Sequence, residues 1–147
     1  MFQTTYPKYS FFENPIDLGG GSAHYKFTSE EEYYDDLATS WFGLSSKRGS
    51  WDALRNYEII ASGSLLIYRD YLKKPISCSP RNVPCLSYST KKDLYEIFDR
   101  LIKDNKPTDE YMFLLEAQRE WLINYGTTSA IAKNILEIIK KNTIYRE

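Results

Sequence analysis

Hydrophobic spacing along the chain switches between helical and strand periods, and this switching predicts an α/β protein. Short apolar runs bounded by turn residues predict three strands, at residues 41–46, 64–70 and 85–89. Apolar positions three and four residues apart predict helices that begin after Thr28, Ser50 and Thr90, at Pro107 and near Thr128. Because crossovers between parallel strands are right-handed, this order predicts a parallel sheet with helices on its faces.

Several of the predicted helix ends carry specific signals. Thr28 with Glu31 and Thr90 with Asp93 have the spacing of capping boxes, and Ser50 is placed to cap a helix over residues 51–62. Gly63 follows that helix as a C-terminal glycine should. The final helix carries a run of apolar residues and closes a helix cluster: Ile131, Ile135, Leu136, Ile138 and Ile139.

Residues 1–27 are predicted to be irregular, and residues 28–147 to form the folded domain. Pro7, Pro15 and the triplet Gly19–Gly21 interrupt any regular pattern in the first segment. The triplet lacks both the strand-to-helix context and the lysine of a phosphate-binding P-loop, so we interpret it as a turn.

Composition narrows the class of protein. The 147 residues are 42% hydrophobic, and 19 basic residues nearly cancel 20 acidic ones, which argues against a dedicated nucleic-acid binder. No apolar run is long enough to span a membrane, and the first residues do not form a secretory signal. Cys78 and Cys85 are therefore predicted to be reduced thiols in a cytoplasmic protein, with a short-loop disulfide as the alternative.

Candidate chemistry is concentrated around the helix predicted after Ser50. Arg55 and Glu58 share one stripe of that helix, and Lys47 and Arg48 precede its N-terminus. A helix N-terminus with nearby cations favours an anion such as a phosphate, and Glu58 could accept hydrogen bonds from ribose hydroxyls. This arrangement suits a nucleotide diphosphate at the carboxyl ends of a parallel sheet.

The same residues also have a purely structural interpretation. Arg55 and Glu58 could be an ordinary surface pair three residues apart, which contributes about 0.2–0.5 kcal/mol. Lys47 and Arg48 could belong to a solvated turn. The residue pattern leaves both interpretations open.

The run RNYEIIASGSLLIY, residues 55–68, resembles the donor-site signature of glycosyltransferases with the GT-B fold. That signature is approximately (R)-x-(F/Y)-E-(A/I)-(L/I)-A-x-G-x-x-P-(V/I). The preceding WFGLSSKRGSWD is similar to group-1 and exostosin-like members, and the resemblance extends over about residues 30–140. It implies a Rossmann-like, three-layer α/β/α domain with a short parallel sheet, equivalent to the C-terminal half of a GT-B enzyme.

The resemblance also implies a function in carbohydrate biosynthesis. Such enzymes transfer a sugar from a nucleotide-diphosphate donor to a glycan or another acceptor, usually without a metal ion. Carried over by position, Glu58 would hold the ribose, Arg55 would face the diphosphate, and Gly63 would end the helix and allow close approach of the next strand. The loop toward the phosphates would contain Ser46, Lys47, Arg48 and Ser50, and Tyr57 lies within the motif.

Two positions depart from the family pattern. Members with the E-x7-E form have an acidic residue where this chain has Ser50, and the proline of the following strand is replaced by Leu66. No metal site is expected, because Asp35 and Asp36 are adjacent on a helix and diverge.

A complete GT-B enzyme has two such halves, and this chain has room for most of the second. The acceptor site and the catalytic base would then belong to a missing N-terminal domain or a partner chain. The only histidine, His24, is predicted to be structural or exposed, so no catalytic base is assigned. The alternative is a non-catalytic interaction domain, or a degenerate transferase half completed by a partner chain.

Overall fold

A four-stranded parallel sheet organises the protein, as seen in a computed structural model that describes residues 9–11 and 27–144. Its strands are β1 (Tyr9–Phe11), β2 (Phe42–Ser46), β3 (Leu65–Arg69) and β4 (Leu86–Tyr88). The α-helices are α1 (Glu30–Ala38), α2 (Leu54–Ala61), α3 (Lys91–Leu101), α4 (Asp109–Trp121) and α5 (Thr128–Ile144). Smaller elements are a 3-10 turn (Tyr71–Lys73), the hairpin strands β5 (Ile102–Lys103) and β6 (Lys106–Pro107), and a π-helical segment (Leu122–Gly126).

Each strand of the sheet lies beside the strand that precedes it in the chain, in the order β1-β2-β3-β4. Phe42 pairs with Leu65 and Ile67 with Leu86, and all three strand pairs are parallel. Helix α1 lies between β1 and β2 in the chain, and α2 connects β2 to β3. The prediction of an α/β protein with a short parallel sheet is confirmed.

Side chains of the central strands alternate between two hydrophobic clusters, one on each face of the sheet. On one face Phe42, Leu44, Leu65 and Ile67 pack against the apolar side of α3. On the other face Leu66 packs with residues of α1 and α2, including Leu37 and Ile59. Helices therefore cover both faces, which gives the three layers that a Rossmann-like fold requires.

Gly43 in β2 sets how closely α2 approaches the sheet. A Cβ atom added there would lie 2.4 Å from Cγ2 of Ile59, which is closer than carbon atoms can pack. The sequence pattern around Gly43 does not indicate this role, because the contact depends on the depth at which Ile59 is buried.

Two predicted helix ends are confirmed in detail. Thr90 and Asp93 form the capping box of α3, and backbone hydrogen bonds from Ser89 and Thr90 lower the pKa of Asp93 below its usual value. Gly63 ends α2 with a φ of 83°, and the N–H groups of Gly63 and Ser64 donate to the carbonyls of Ile60 and Ile59. This is the Schellman pattern, which favours glycine because of the positive φ.

Several predicted boundaries are wrong. Ser29, not Thr28, caps α1, and its hydroxyl accepts from the Glu32 N–H rather than from Glu31. The helix expected from residue 51 begins at Leu54, so its N-cap is Ala53 and not Ser50, whose hydroxyl donates to the Asp52 carbonyl.

The short strand β1 and the β5–β6 hairpin were not predicted from the sequence. Residues 9–11 form β1 beside β2, within the segment predicted to be irregular through residue 27. Pro107 lies in the β5–β6 hairpin, whose turn residues Asp104 and Asn105 have positive φ angles, and Thr108 caps α4. The glycine triplet and His24 lie outside the described residues.

Gln118 of α4 forms hydrogen bonds with the part of β3 that has no partner in β4. Its side-chain oxygen accepts from the Leu66 N–H at 2.8 Å, and its nitrogen donates to the Leu66 carbonyl at 2.9 Å and the Pro84 carbonyl at 3.1 Å. The Gln118 amide thus replaces the peptide group of a missing neighbouring strand. Helix α4 consequently contacts both clusters, through Tyr111 on one face and Trp121 on the other.

The last helix leaves much of its apolar surface accessible. Ile131, Ile135 and Leu136 are 44%, 51% and 56% exposed, and Ile138 and Ile139 are exposed to a similar degree.

Within residues 27–144 no helix combines the length and apolar character needed to cross a membrane. Cys78 and Cys85 are free thiols, and burial raises the pKa of Cys85 to about 12.

Replacing Gln118 with methionine should destabilise the fold strongly. The change keeps the side-chain volume but leaves the Leu66 peptide and the Pro84 carbonyl without partners inside the protein. We expect the free energy of unfolding to fall by about 2–4 kcal/mol, measured by urea denaturation. The exposed Glu120→Met in the same helix is the control, with an expected change within about 0.5 kcal/mol. Equal stabilities of the two variants would contradict the edge-completing role.

Candidate functional site

The candidate site lies at the carboxyl end of β2, in the loop that leads to α2. Ser46 is the last residue of β2 and pairs with Arg69, the last residue of β3. Lys47, Arg48 and Ser50 follow in an exposed loop, and α2 begins at Leu54. The structure thus places the predicted loop residues at the carboxyl ends of the parallel strands β2 and β3.

The carbonyl oxygen of Trp51 anchors this loop. It accepts from Nδ2 of Asn56 at 3.2 Å and from the hydroxyl of Tyr68 at 3.0 Å. Asn56 is itself buried, and its Oδ1 accepts from the hydroxyl of Ser45 in β2 at 2.6 Å. Burial raises the pKa of Tyr68 to about 12, so its hydroxyl stays protonated as a donor at neutral pH. Two strands and α2 therefore fix the position of a single peptide group.

Lys47 lies against the side chain of the same anchor residue. Its ammonium nitrogen is 5.4 Å from the centre of a Trp51 ring, within the range of a cation–π contact. The centre of the Trp51 ring is also 5.9 Å from the centre of the Tyr68 ring. Lys47 is exposed, so its charge remains accessible beside the loop.

Arg48 and Arg55 bring two positive charges together at the start of α2. Partial burial and the charge of Arg55 lower the pKa of Arg48 below its ordinary value. An arginine stays charged at any physiological pH, so two like charges face the same region. Guanidinium groups such as these can donate paired hydrogen bonds to an anion.

The first turn of α2 adds partial positive charge at the same place. Ala53 occupies the N-cap position and offers no side-chain acceptor to the N–H groups that follow it. The caps of α1, α3 and α4 are Ser29, Thr90 and Thr108, whose hydroxyls each accept from a backbone N–H. The helix dipole of α2 therefore reinforces the attraction of Arg48 and Arg55 for an anion.

Glu58 lies one turn further along α2, on the side that faces α1. Its Oε2 accepts from the hydroxyl of Tyr33 at 3.0 Å, and its Oε1 accepts from the hydroxyl of Tyr34 at 3.3 Å. The residue is half-buried, neither enclosed in a hydrophobic cluster nor fully exposed. The two tyrosines precede Glu58 by more than twenty residues, so the sequence pattern gave no signal for this contact.

Tyr57 and Gly63, which were also predicted as site residues, do not contact Arg48, Arg55 or Glu58 through the interactions described for them. Tyr57 stacks on Trp121 with ring centres 5.7 Å apart, and its hydroxyl donates to Oδ1 of Asp52 at 2.8 Å. Gly63 lies at the far end of α2, and an added Cβ there would meet no atom within 4 Å. Its role is conformational, and the expected close approach to the next strand is wrong. The close approach occurs at Gly43 instead.

A polar group at the neighbouring strand end was missed by the sequence analysis. Asp70, in a left-handed conformation, accepts from the Ser89 hydroxyl at 2.7 Å and pairs with Lys73 at 2.9 Å. The hydrogen bonds from Lys73 and Ser89 lower the pKa of Asp70 below its usual value. This group ties the end of β3 to the residue after β4 and flanks the candidate site.

Within the described residues, no group of three or more His, Cys, Asp or Glu side chains could hold a metal ion.

Comparisons with protein-family models, with curated proteins and with solved structures find no match to this chain. The interpretation of the site therefore depends on its own geometry.

Asn56→Ala should loosen the loop of residues 47–53 more than it loosens the rest of the protein. The change removes the link between Ser45 and the Trp51 carbonyl and leaves the Ser45 hydroxyl buried without its acceptor. We expect a loss of about 1–3 kcal/mol in stability and faster amide hydrogen exchange confined mainly to the loop. The exposed Asn124→Ala serves as the control. Uniformly faster exchange throughout the sheet would contradict a local anchoring role.

Proposed function

We propose that this chain is the donor-binding portion of a glycosyltransferase, equivalent to the C-terminal half of a GT-B enzyme. It would move a sugar from a nucleotide-diphosphate donor to a glycan or another acceptor. The observation that carries this proposal is the proximity of Arg48 and Arg55 at the start of α2, which has no side-chain cap and follows the carboxyl end of a parallel strand.

The diphosphate of the donor fits the positive end of this arrangement. Arg48 and Arg55 can donate paired hydrogen bonds to phosphate oxygens, and backbone N–H groups of α2 can donate along the helix axis. Lys47 adds a third, exposed charge. When the sugar leaves, negative charge grows on the diphosphate, and these preorganised donors would stabilise it.

The ribose of the donor fits Glu58. Glu58 is four positions after Leu54, which corresponds to about 6 Å along a helix. A nucleotide that places its diphosphate at the first turn of α2 can therefore bring its ribose hydroxyls to the carboxylate. Ser46 and Ser50, which flank the loop, are proposed to contribute smaller polar contacts.

The catalytic base and the acceptor site are proposed to lie elsewhere, in an N-terminal domain or a partner chain. The described residues contain no histidine. The diphosphate group would be neutralised by arginine, lysine and the helix dipole rather than by a metal ion. Two free cysteines favour a reducing compartment, and we propose a cytoplasmic protein.

The exposed apolar side chains of α5 favour the alternative function, a non-catalytic interaction domain or a degenerate transferase half. Ile131, Ile135 and Leu136 are accessible over about half of their surface in the described part of the chain. Such a face suits a partner chain. The alternative predicts association through α5 without any response to nucleotides.

Nucleoside diphosphates should raise the melting temperature of the protein in a concentration-dependent way. Titration with UDP, GDP and ADP at up to millimolar concentration identifies the preferred base. Arg55→Gln and Glu58→Gln should each weaken binding by about tenfold or more, because each loses charge-assisted hydrogen bonds to the ligand. Arg100→Gln, on α3 and paired with Glu110, is the charge-matched control and should bind normally.

The outcome against this proposal is equally specific. If no nucleoside diphosphate changes the melting temperature, or if Arg55→Gln and Glu58→Gln bind like the control, the transferase function is wrong. Sedimentation that shows self-association or partner binding in the same protein would then support the interaction domain.

A further inference from the structure

We propose that Tyr33 and Tyr34 are positioning residues that present both oxygens of Glu58 to the two hydroxyls of a ribose. The site would thereby select ribonucleotides over 2′-deoxyribonucleotides. This inference rests on the proposed function, and it assigns two residues of α1 that the donor-site signature does not include.

The two tyrosine hydroxyls donate hydrogen bonds to the Glu58 carboxylate, one to each oxygen. Tyr33 donates to Oε2 at 3.0 Å and Tyr34 donates to Oε1 at 3.3 Å. The tyrosines are consecutive, and their ring centres are 5.3 Å apart, so both oxygens are held by one short piece of helix. With a donor on each oxygen, the carboxylate cannot rotate without breaking a hydrogen bond.

The tyrosine pair is itself held in place. Tyr33 is 7% exposed and belongs to the cluster that contains Leu37 and Ile59. Its ring also lies 5.4 Å from the ring of Phe27. Tyr34 is more accessible, at 37%, and its longer hydrogen bond indicates the weaker hold. Glu58 is therefore fixed mainly through Tyr33.

Both hydroxyls remain donors at neutral pH. Burial, and then the negative charge of Glu58, raise the pKa of Tyr33 well above its usual value. The charge of Glu58 is the main cause that raises the pKa of Tyr34. Glu30 is a second hydrogen-bond partner of Tyr34 and also raises its pKa, so the single hydroxyl proton of Tyr34 serves two carboxylates and Glu58 depends mainly on Tyr33.

The remaining hydrogen-bond acceptor positions of the Glu58 carboxylate match the two hydroxyl donors of a vicinal diol. An ionised carboxylate offers about four acceptor positions, of which the tyrosines occupy one on each oxygen. One further position on each oxygen can then accept a hydrogen bond from a donor on a ligand. A ribose supplies two adjacent hydroxyl donors, whereas a 2′-deoxyribose supplies one and leaves one of these two acceptor positions empty in the bound state.

A purely structural role for the tyrosines makes a different prediction. If their only role is to tie α1 to α2, removing a hydroxyl would weaken ribo- and deoxyribonucleotide binding equally. A positioning role changes the ratio of the two affinities. The ratio therefore separates the two roles even when both ligands bind more weakly.

The test measures the affinities of UDP and 2′-deoxy-UDP, or the matching pair for the preferred base, by calorimetry. The unmodified protein should bind the ribonucleotide about tenfold more tightly or better. Tyr33→Phe should bring the affinity ratio close to one, and Tyr34→Phe should reduce it about two- to threefold. Glu58→Gln should also lose the preference, while the exposed Tyr125→Phe should keep it.

Each result decides between the claims. If the unmodified protein binds neither nucleotide, both this inference and the proposed function fail. If it binds the ribonucleotide, but Tyr33→Phe and Tyr34→Phe keep the original ratio, only this inference fails. Because Tyr34 is partly exposed, Tyr34→Phe should fold normally, so it provides the decisive ratio if Tyr33→Phe does not fold.

Discussion

Two hydrogen bonds to one carbonyl oxygen, that of Trp51, determine the shape of the candidate site. Asn56 and Tyr68 both donate to it, and residues 51–53 lie outside the helix that follows. Helix α2 begins at Leu54 and has Ala53 at its N-cap position. The loop held in this way brings Arg48 to the start of α2 beside Arg55, and Ile59 packs on Gly43 one turn beyond.

Glu58 connects this site to the rest of the fold. The carboxylate lies between α2, which carries it, and α1, whose tyrosines donate to it. A structural hydrogen bond and a ligand contact need not compete at a carboxylate, since each oxygen can accept more than one donor. The contact that stabilises the pair of helices can thus also orient the group that would hold a ribose.

Local signals were enough to predict much of this fold. The strands near residues 42 and 65, the capping box of Thr90 and the positive-φ glycine after α2 all depend on neighbouring residues, and the structure confirms them. The hydrogen bond from Tyr68 to the Trp51 carbonyl, the contacts of Gln118 and the tyrosines on Glu58 join residues that are 17 to 52 positions apart. Sequence periodicity contains no information on such contacts, so the stripe of Arg55 and Glu58 could be predicted but its surroundings could not.

A crystal structure of the protein with a bound nucleoside diphosphate would show which residues hold the phosphates and the ribose. We expect the phosphates to lie between Arg48, Arg55 and the first turn of α2, with both ribose hydroxyls donating to Glu58. A nucleotide bound at another edge of the sheet, or one whose ribose points away from α1, would contradict it.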